Sequence, residues 1–511
     1  MCWACLQPDH LDLPRSGGAT IAAAGSTVRD ETALLAVLEN PTNSWAAFAD
    51  QGAQPVIVSY SFAEGDTLPD PADDPYGVDS TFSFSTAQRE NFRLVLAEAS
   101  KMAGVVFVET TGTAMVNVYG TLGSSWGGWA NYAWSSEWTT GQGRLTIDAN
   151  DSFAPGSASF QILLHELGHA LGLKHPHEGD IRLASDVDRP EQTVMSYEWT
   201  NIVRKFGPLD VAALTTLYGG PVDTTGWKMR ISETAFTLTG SARGETLMGI
   251  DRSSRIEGAG GADTLFGREY DDRLSGGKGD DVLRGGHGID TLLGGAGNDR
   301  LDLGGDQDWP GFEDEPELAR GGSGNDTLTG SNREVRLSGD AGNDRLTGGS
   351  AYDTLAGGAG DDTLTGGTGN DVMSGGTGRD VLQGGDGFDT LTGGAGDRLV
   401  GGYGQDTLRL FDAGGARVTG GQYEADEFHF HRGADPGKTA VVLTDFEVGL
   451  DRIVLHYNIT PSRLPDIDIH SRNGGADSLV LIDRPGGDPA FRILFKGVAP
   501  EDILMSDFLL G

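Results

Sequence analysis

The chain reads HELGHALGLKH from His165 to His175. His165 and His169 stand four residues apart, so on a helix both imidazoles project from the same face, one turn apart. Gly172 follows, and a residue without Cβ readily enters the left-handed conformation that ends a helix. Beyond that turn His175 can approach the first two histidines as a third ligand. The stretch therefore predicts a helix that ends at a three-histidine zinc site.

Glu166 directly follows the first of these histidines, where its carboxylate can lie beside the metal without binding it. Three protein ligands leave one position of a tetrahedral zinc ion open for water, whose pKa falls to about 7. A carboxylate within reach can take that proton and pass it to a leaving amine. Glu166 is therefore the predicted general base of a hydrolase. A lone histidine more often satisfies a core or surface hydrogen bond, but chance rarely aligns five such positions.

A methionine-containing turn follows the zinc segment and reads TVMSY from Thr193 to Tyr197. The long zinc motif with this turn resembles the metzincin clan of zinc peptidases. Within that clan, Pro176 and Tyr197 resemble the serralysin family. The resemblance implies that Met195 forms the apolar floor of the site. It also implies that Tyr197 ligates the resting zinc ion and then stabilises the oxyanion.

The resemblance covers nearly the whole chain beyond the N-terminal arm and implies an α+β metzincin catalytic domain over residues 51–220. Local patterns predict one helix over Thr86–Ala103 and a closing helix within Phe206–Gly220, with strands at Val105–Val108, Met115–Tyr119 and Leu145–Asp148. Trp129–Trp134 has two interpretations. It is either an exposed edge strand that pairs with an extended substrate, or aromatic packing under a loop.

A nine-residue unit, Gly-Gly-x-Gly-x-Asp-x-apolar-x, repeats from Gly258 to Arg409. Such a period is typical of an all-β parallel β-roll that binds calcium. The glycines allow tight turns, the aspartate supplies a hard oxygen, and the apolar residue forms a short strand facing the core. Calcium favours about six to eight oxygens, so successive coils can share an ion. The candidate calcium ligands are Asp263, Asp272, Asp281, Asp290, Asp299, Asp326, Asp344, Asp353, Asp362, Asp371, Asp380, Asp389 and Asp406.

The array resembles the RTX repeats that follow the catalytic domain in serralysins. Rows of carboxylates repel one another without a cation, so we expect the roll to fold only when it binds several calcium ions. A flexible linker is the alternative for a tract rich in Gly and Asp, but the regular apolar position disfavours it. An acidic insertion at 303–320 is expected to split the roll into two blocks. Val335 replaces one aspartate, and a calcium site is expected to be lost there.

Charge and the chain ends bear on partners and location. The formal net charge of −38 argues against nucleic acid as a partner. The sequence contains no apolar run long enough for a transmembrane helix. The N-terminal residues have neither the basic start nor the apolar core of a secretory signal, so no signal peptide is expected, whereas Asp507–Leu510 resembles the uncleaved type I secretion signal of RTX proteins. The resemblance implies a secreted, extracellular monomer whose partners are protein or peptide substrates and the type I secretion machinery.

The remaining segments complete the predicted domain organisation. Residues 1–50 are interpreted as an N-terminal arm or propeptide, 221–257 as connecting strands, and 410–511 as a C-terminal β cap with the secretion signal. Cys2 and Cys5 are the two cysteines of the chain. They leave open a local disulfide, a redox-sensitive arm or a thiolate that caps the zinc, and a disordered or removable leader is favoured.

Taken together, these features predict a secreted zinc endopeptidase of serralysin type, with one catalytic zinc ion and several structural calcium ions. Two alternatives remain. One is a calcium-dependent adhesin or surface-binding protein with a vestigial zinc site, although no ligand or base of the motif is broken. The other is a zinc enzyme that acts on a non-peptide amide or on cell wall.

Overall fold

The computed structural model describes residues 26–28, 56–65, 68–71, 78–111, 114, 116–122, 128–131, 143–148, 152–174, 181–183, 188–196, 202–232, 235–250, 252–305, 316–411, 414–421, 424–431, 439–456, 467–483 and 489–510. The chain divides into two compact units, Met1–Thr237 and Leu238–Gly511.

Helices and a mixed sheet make up the first unit. Its helices are α1 Thr86–Ser100, α2 Ala158–Ala170 and α3 Pro208–Tyr218. Its strands are β1 Ser26–Val28, β2 Val56–Phe62, β3 Ser80–Phe82, β4 Val105–Glu109, β5 Val116–Leu122, β6 Gly128–Asn131, β7 Gly143–Asp148, β8 Ile181–Leu183 and β9 Lys228–Ile231.

The central sheet of this unit has the strand order β4-β2-β5-β7-β6. Strands β4, β2, β5 and β7 are parallel, whereas β6 runs antiparallel to β7 at the edge. All seven residues of β2 are buried, as a central strand with both faces covered requires. The predicted edge strand is therefore found over Gly128–Asn131, and the rest of Trp129–Trp134 lies outside the described residues.

Helix α1 has the start and the apolar face that its sequence predicts. Ser85 N–H donates to Gln88 Oε1 at 2.8 Å, and Gln88 N–H donates to Ser85 Oγ at 3.4 Å, which is a capping box. Phe92, Leu96 and Ala99 recur at helical spacing and are buried. This face packs toward β4, so burial of an amphipathic stripe holds α1 against the sheet.

Short strands make up the second unit, and the boundary between the units falls inside the first of them. The strands are β10 Phe236–Thr239, β11 Thr246–Met248, β12 Ser254–Glu257, β13 Thr264–Arg268, β14 Arg273–Lys278, β15 Val282–Gly286, β16 Thr291–Ala296, β17 Arg300–Gly304, β18 Glu317–Ser323, β19 Thr327–Thr329, β20 Val335–Ala341, β21 Arg345–Gly349, β22 Thr354–Ala359, β23 Thr363–Thr368, β24 Val372–Thr377, β25 Val381–Asp386, β26 Thr390–Gly393, β27 Arg398–Tyr403, β28 Thr407–Phe411, β29 Arg417–Thr419, β30 Glu427–His431, β31 Val441–Leu443, β32 Arg452–His456, β33 Ile467–Arg472, β34 Asp477–Asp483, β35 Pro489–Phe495 and β36 Phe508–Leu510.

Alternate strands of this unit fall into two parallel sheets, so the chain winds as a roll. One sheet runs from β10 and β12 through the even-numbered strands to β32 and β36. The other runs from β11 through the odd-numbered strands to β31 and β35, with β34 and β33 added antiparallel. Leu265, Leu283 and Leu301 follow one another in register and are fully buried, so each coil adds one leucine to the core from this sheet.

The acidic insertion does not split this roll, so the expectation of two blocks is wrong. Thr291 pairs with Leu318 and Arg300 with Thr327, so both sheets continue across it in register. The reason lies in Glu317–Ala319, which fills the Asp-x-apolar positions of the interrupted coil, with Ala319 fully buried. An insertion placed in a turn leaves the strand pairing intact.

The roll also extends beyond residues 258–409. Strands β11 and β12, expected only to connect the two domains, pair in parallel with β13 and β14. At the other end β30, β32 and β36 continue one sheet in parallel register. Among the described residues, no helix has both the length and the apolar character needed to cross a membrane.

Candidate functional site

Helix α2 carries the first part of the predicted zinc segment and ends where glycine was expected to end it. Gly172 has φ +90°. The Leu173 N–H donates to Gly168 O at 2.9 Å, closing the left-handed turn that satisfies the last carbonyls of the helix. His165, Glu166 and His169 therefore all lie on one helix, just ahead of a sharp turn.

Backbone carbonyls orient both histidine rings of α2. His165 Nδ1 lies 2.7 Å from Val194 O, and His169 Nδ1 lies 2.8 Å from Leu173 O. A carbonyl only accepts, so each Nδ1 carries the proton and each Nε2 keeps the lone pair that a metal needs. The two rings stand edge to face, with centroids 4.9 Å apart and an angle of 90° between their planes. Their chemistry fits a metal ion bound through Nε2.

Glu166 lies between these histidines in sequence and is 4 % exposed. His165 and His169 are 2 % and 5 % exposed, so the three groups share a buried environment. A buried carboxylate stays ionised only beside positive charge or hydrogen-bond donors. The surroundings of Glu166 therefore suit a base that works next to a cation.

Met195 packs directly beneath α2. It is fully buried, and a Cβ added at Gly168 would lie 2.5 Å from Met195 Sδ. Only a glycine permits this approach of sulfur to helix backbone, since real Cβ contacts are longer. The structure thus places the predicted floor residue against α2, the helix that carries His165 and His169.

Asp210 was not among the predicted site residues, yet it holds the turn under the histidines. It is fully buried in α3. Its Oδ1 accepts from Thr193 Oγ1 at 2.5 Å, and its Oδ2 accepts from the N–H groups of Val194 and Gly207 at 2.8 Å each. Burial raises the pKa of Asp210 to about 6. Because Val194 O orients His165, Asp210 acts on the site as a positioning residue.

The other predicted site residues of this unit, His175 and Tyr197, lie outside the described residues, as do Pro176, Cys2 and Cys5.

Aspartates form two ladders along the roll, one at each edge where the coils turn. In the first ladder, Asp263 N–H donates to Asp281 Oδ1 and Asp281 N–H donates to Asp299 Oδ1, each at 2.8 Å. In the second, Asp272 N–H donates to Asp290 Oδ1 at 2.9 Å. Each of these hydrogen bonds links residues one coil apart, so successive aspartates within an unbroken part of a ladder share the same environment.

The second carboxylate oxygen of these aspartates is buried and accepts no hydrogen bond from any described residue. The residues with such an Oδ2 are Asp263, Asp272, Asp281, Asp290, Asp299, Asp326, Asp344, Asp353, Asp362, Asp371, Asp380, Asp389, Asp406 and Asp426. Burial raises the pKa of Asp272 to about 8 and that of Asp290 to about 9. A buried carboxylate either takes up a proton or binds a cation, and calcium prefers such hard oxygens. The arrangement fits calcium.

Three further aspartates continue the ladders. Asp397 Oδ1 accepts from Asp380 N–H at 2.9 Å, although its copy is one residue short. Asp426 accepts from Asp406 N–H at 2.9 Å, and Asp451 accepts from Asp426 N–H at 3.0 Å. The coils that carry these two residues are longer than the repeat, so a fixed nine-residue period misses them.

Two positions in the second ladder depart from the aspartate pattern. Glu317 and Val335 are paired in register, directly between the coils of Asp290 and Asp353. Glu317 accepts a hydrogen bond from Ser331 Oγ at 2.7 Å, and Val335 is fully buried. The ladder is therefore interrupted by an apolar residue at Val335, as its sequence predicts.

Comparison with protein families agrees with this geometry. The RTX calcium-binding nonapeptide repeat, as a model of four copies, matches residues 257–292, 282–310, 320–355, 353–382 and 374–408. The C-terminal region therefore carries RTX calcium-binding repeats folded as a parallel-stranded β-roll.

Individual relatives are more distant. Serralysin of Photorhabdus sp. (strain Az29) is 27% identical over 206 residues, which cover 34% of this chain and 41% of that protein. The chain thus spans about two fifths of the length of this relative. Among solved structures, the AlgE6R3 subunit of the Azotobacter vinelandii mannuronan C5-epimerase is 18% identical, covers 33% of this chain and 77% of its own, and has a TM-score of 0.18.

Proposed function

We propose that the protein is a secreted, zinc-dependent endopeptidase of serralysin type that hydrolyses peptide bonds of extracellular proteins. The observation that carries this proposal is the pair His165 and His169, buried on one helix with Glu166 between them and with both Nδ1 atoms tied to backbone carbonyls. Two oriented imidazoles and a buried carboxylate supply two of the three ligands and the general base that a catalytic zinc site requires.

His165 and His169 would hold the zinc ion through Nε2, with His175 as the third ligand. Zinc, when bound, supplies a Lewis acid and lowers the pKa of water to about 7. Glu166 acts as the general base that takes a proton from the attacking water and returns it to the leaving amine. Tyr197 would be an additional ligand of the resting zinc and a hydrogen-bond donor to the oxyanion. Met195 supports the helix from below.

The substrate would bind in extended form along β6. This strand ends the central sheet, so its outer backbone groups can pair with a peptide by β-augmentation. Backbone pairing selects no particular side chain, which suits an enzyme that acts on many proteins.

The RTX roll would make activity depend on export. Extracellular calcium modules bind weakly, so the roll folds where calcium is at about millimolar concentration. RTX repeats are typical of secreted proteins, and Asp507–Leu510 is the proposed type I secretion signal. Phe508–Leu510 pairs in parallel with β32, so this segment joins the sheet once the protein has folded.

Zinc removal and restoration test the proposal against its alternative. Full-length protein in calcium should cleave casein, lose cleavage when a chelator selective for zinc over calcium is added, and regain it with one equivalent of zinc. A zinc enzyme acting on a non-peptide bond would show the same metal dependence only on another substrate. An adhesin with a vestigial site would bind calcium but leave casein intact at every zinc concentration, and that result would refute the proposal.

A further inference from the structure

Three histidines cluster on the C-terminal coils of the roll, beyond residue 408 where the match to the RTX repeat ends. His429 and His431 lie on β30, and His456 lies on β32. These two strands pair in parallel with His431 directly opposite His456. Side chains two residues apart on a strand share a face, so parallel pairing brings all three imidazoles together on the outer face of one sheet.

The rings lie within metal-binding distance of one another. One nitrogen from each of the three histidines lies within 4.8 Å of the others. His429 Nδ1 is 2.8 Å from His456 Nε2, and the rings of His431 and His456 stack with centroids 4.0 Å apart. Two nitrogens on a tetrahedral ion with bonds of about 2.0–2.1 Å lie about 3.3 Å apart. Small side-chain rotations therefore suffice to close the group around an ion.

A carboxylate orients one of these rings from outside. Glu427 Oε2 lies 3.0 Å from His429 Nε2. A carboxylate accepts, so Nε2 carries the proton and Nδ1 faces His456 with its lone pair. A histidine whose far nitrogen donates to a carboxylate is the usual arrangement around a bound metal. The negative charge of Glu427 also offsets the positive charge of Arg409, which lies on the neighbouring strand in register with His429.

His431 supplies an observation that packing alone does not explain. Its Nε2 is buried and forms no hydrogen bond with any described residue. The other side of its ring stacks on Phe411, with centroids 4.3 Å apart and planes 11° from parallel. A buried polar atom without a partner is destabilising, so a phenylalanine would fit this stack better unless the nitrogen has a ligand.

We propose that His429, His431 and His456 form a binding site for a divalent transition-metal ion, with Glu427 orienting His429. Imidazole nitrogens suit zinc, nickel and copper, whereas calcium prefers oxygens. The site differs from the aspartate ladders in its ligands and from the α2 site in its position. It fastens two successive coils of the roll beyond the end of the nonapeptide repeats.

Zinc stoichiometry in the full-length, calcium-loaded protein tests this site. His431→Phe keeps the stack on Phe411 but removes the ligand nitrogen. His470→Asn is the matched control, because His470 is exposed on β33. At rising buffered zinc, wild type and His470→Asn should bind one equivalent per chain more than His431→Phe. Equal zinc binding by wild type and His431→Phe would overturn the proposal.

Thermal unfolding provides a second readout that separates metal binding from folding. Added zinc should raise the midpoint of wild type but not that of His431→Phe, since a ligand stabilises only the state that binds it. Without zinc, His431→Phe should melt no lower than wild type. If it does not fold, His429→Gln should give the same loss of one zinc. The difference of one equivalent is independent of the α2 site, so failure of the proposed peptidase activity would leave this test intact.

Discussion

The α2 site and the β-roll differ in how often each contact is made. At α2, single contacts carry the arrangement: one carbonyl orients each histidine, and one methionine lies below the helix. In the roll, the same aspartate rung recurs from coil to coil. Losing one of these contacts should therefore disrupt most of the arrangement at the α2 site. In the roll, a change of conditions that affects all the aspartates should act on every coil at once. A single substitution should instead cause a small, graded loss of stability.

Removing calcium affects every coil of the roll and should therefore have the largest effect on folding. Burial raises the pKa of Asp272 and Asp406 to about 8, and that of Asp299 to about 7. Folded-state pKa values above the unfolded value of about 3.9 mean that the metal-free roll is most stable below that pH. It then loses stability as pH rises through the folded pKa values. In chelator, circular dichroism should show β structure near pH 4 and its loss by about pH 9.

With excess calcium the same titration should be nearly flat over this range, because bound cations keep the carboxylates ionised. A chelated protein that keeps its β structure from pH 4 to 9 would contradict the idea that buried carboxylates make the roll depend on calcium.

Asp210→Ala should be the most damaging single substitution near α2. It leaves the Thr193 hydroxyl and the N–H groups of Val194 and Gly207 buried without their acceptor. Each such group costs about 1–3 kcal/mol, so the free energy of unfolding of the first unit should fall by at least about 3 kcal/mol. Chemical denaturation followed by tryptophan fluorescence would measure it. Asp79→Ala, at an exposed position, should change it by less than about 0.5 kcal/mol.

Gly168→Ala probes the contact between α2 and Met195. The new Cβ would lie 2.5 Å from Met195 Sδ, so the sulfur or the helix must move. Overpacking of this kind costs about 1–3 kcal/mol. We expect a lower melting temperature and weaker zinc retention on dialysis. Gly220→Ala is the control, because nothing lies within 4 Å of its added Cβ; equal behaviour of the two variants would count against a tight methionine floor.

Removing one carboxylate from an aspartate ladder should have the smallest effect on stability. Asp362→Asn removes one buried carboxylate oxygen from the first ladder. A loss of about 0.5–1 kcal/mol should raise the calcium concentration at half-folding by about two- to fivefold. The adjacent Asp361→Asn removes the same charge at an exposed position and keeps the oxygen that accepts from Arg379 N–H. Asp361→Asn should leave the calcium concentration at half-folding unchanged. Complete unfolding caused by either substitution would contradict the expectation that single substitutions in the roll have small, graded effects.

The same contrast explains how much of the structure the sequence predicts. A repeated environment is readable from one copy, so Leu265, Leu283 and the ladder aspartates follow from the period. The continuity of the roll at Glu317 was not predicted, because the eighteen residues of 303–320 depart from the nine-residue pattern. Near their end, Glu317 occupies the position of the repeat aspartate. Asp397 was not predicted as a ligand because its copy of the repeat is one residue short.

Contacts between distant positions explain the other misses. Asp210 looks like an ordinary acidic residue in the first turn of a helix, and its partners Thr193 and Val194 lie on a turn that no local pattern places beside it. His456 meets His431 only because two longer coils happen to pair in that register. Gly172 and Ser85, by contrast, act on their immediate neighbours, and their helix ends were predictable.

Cleavage of a fluorogenic peptide by wild type and Glu166→Ala, with zinc quantified in both, tests the central claim most directly. Loss of a general base lowers kcat by about 10²–10⁴-fold. We expect both proteins to contain one zinc at the α2 site, and Glu166→Ala to show that loss in kcat. Equal cleavage by the two zinc-loaded proteins would contradict the proposed mechanism.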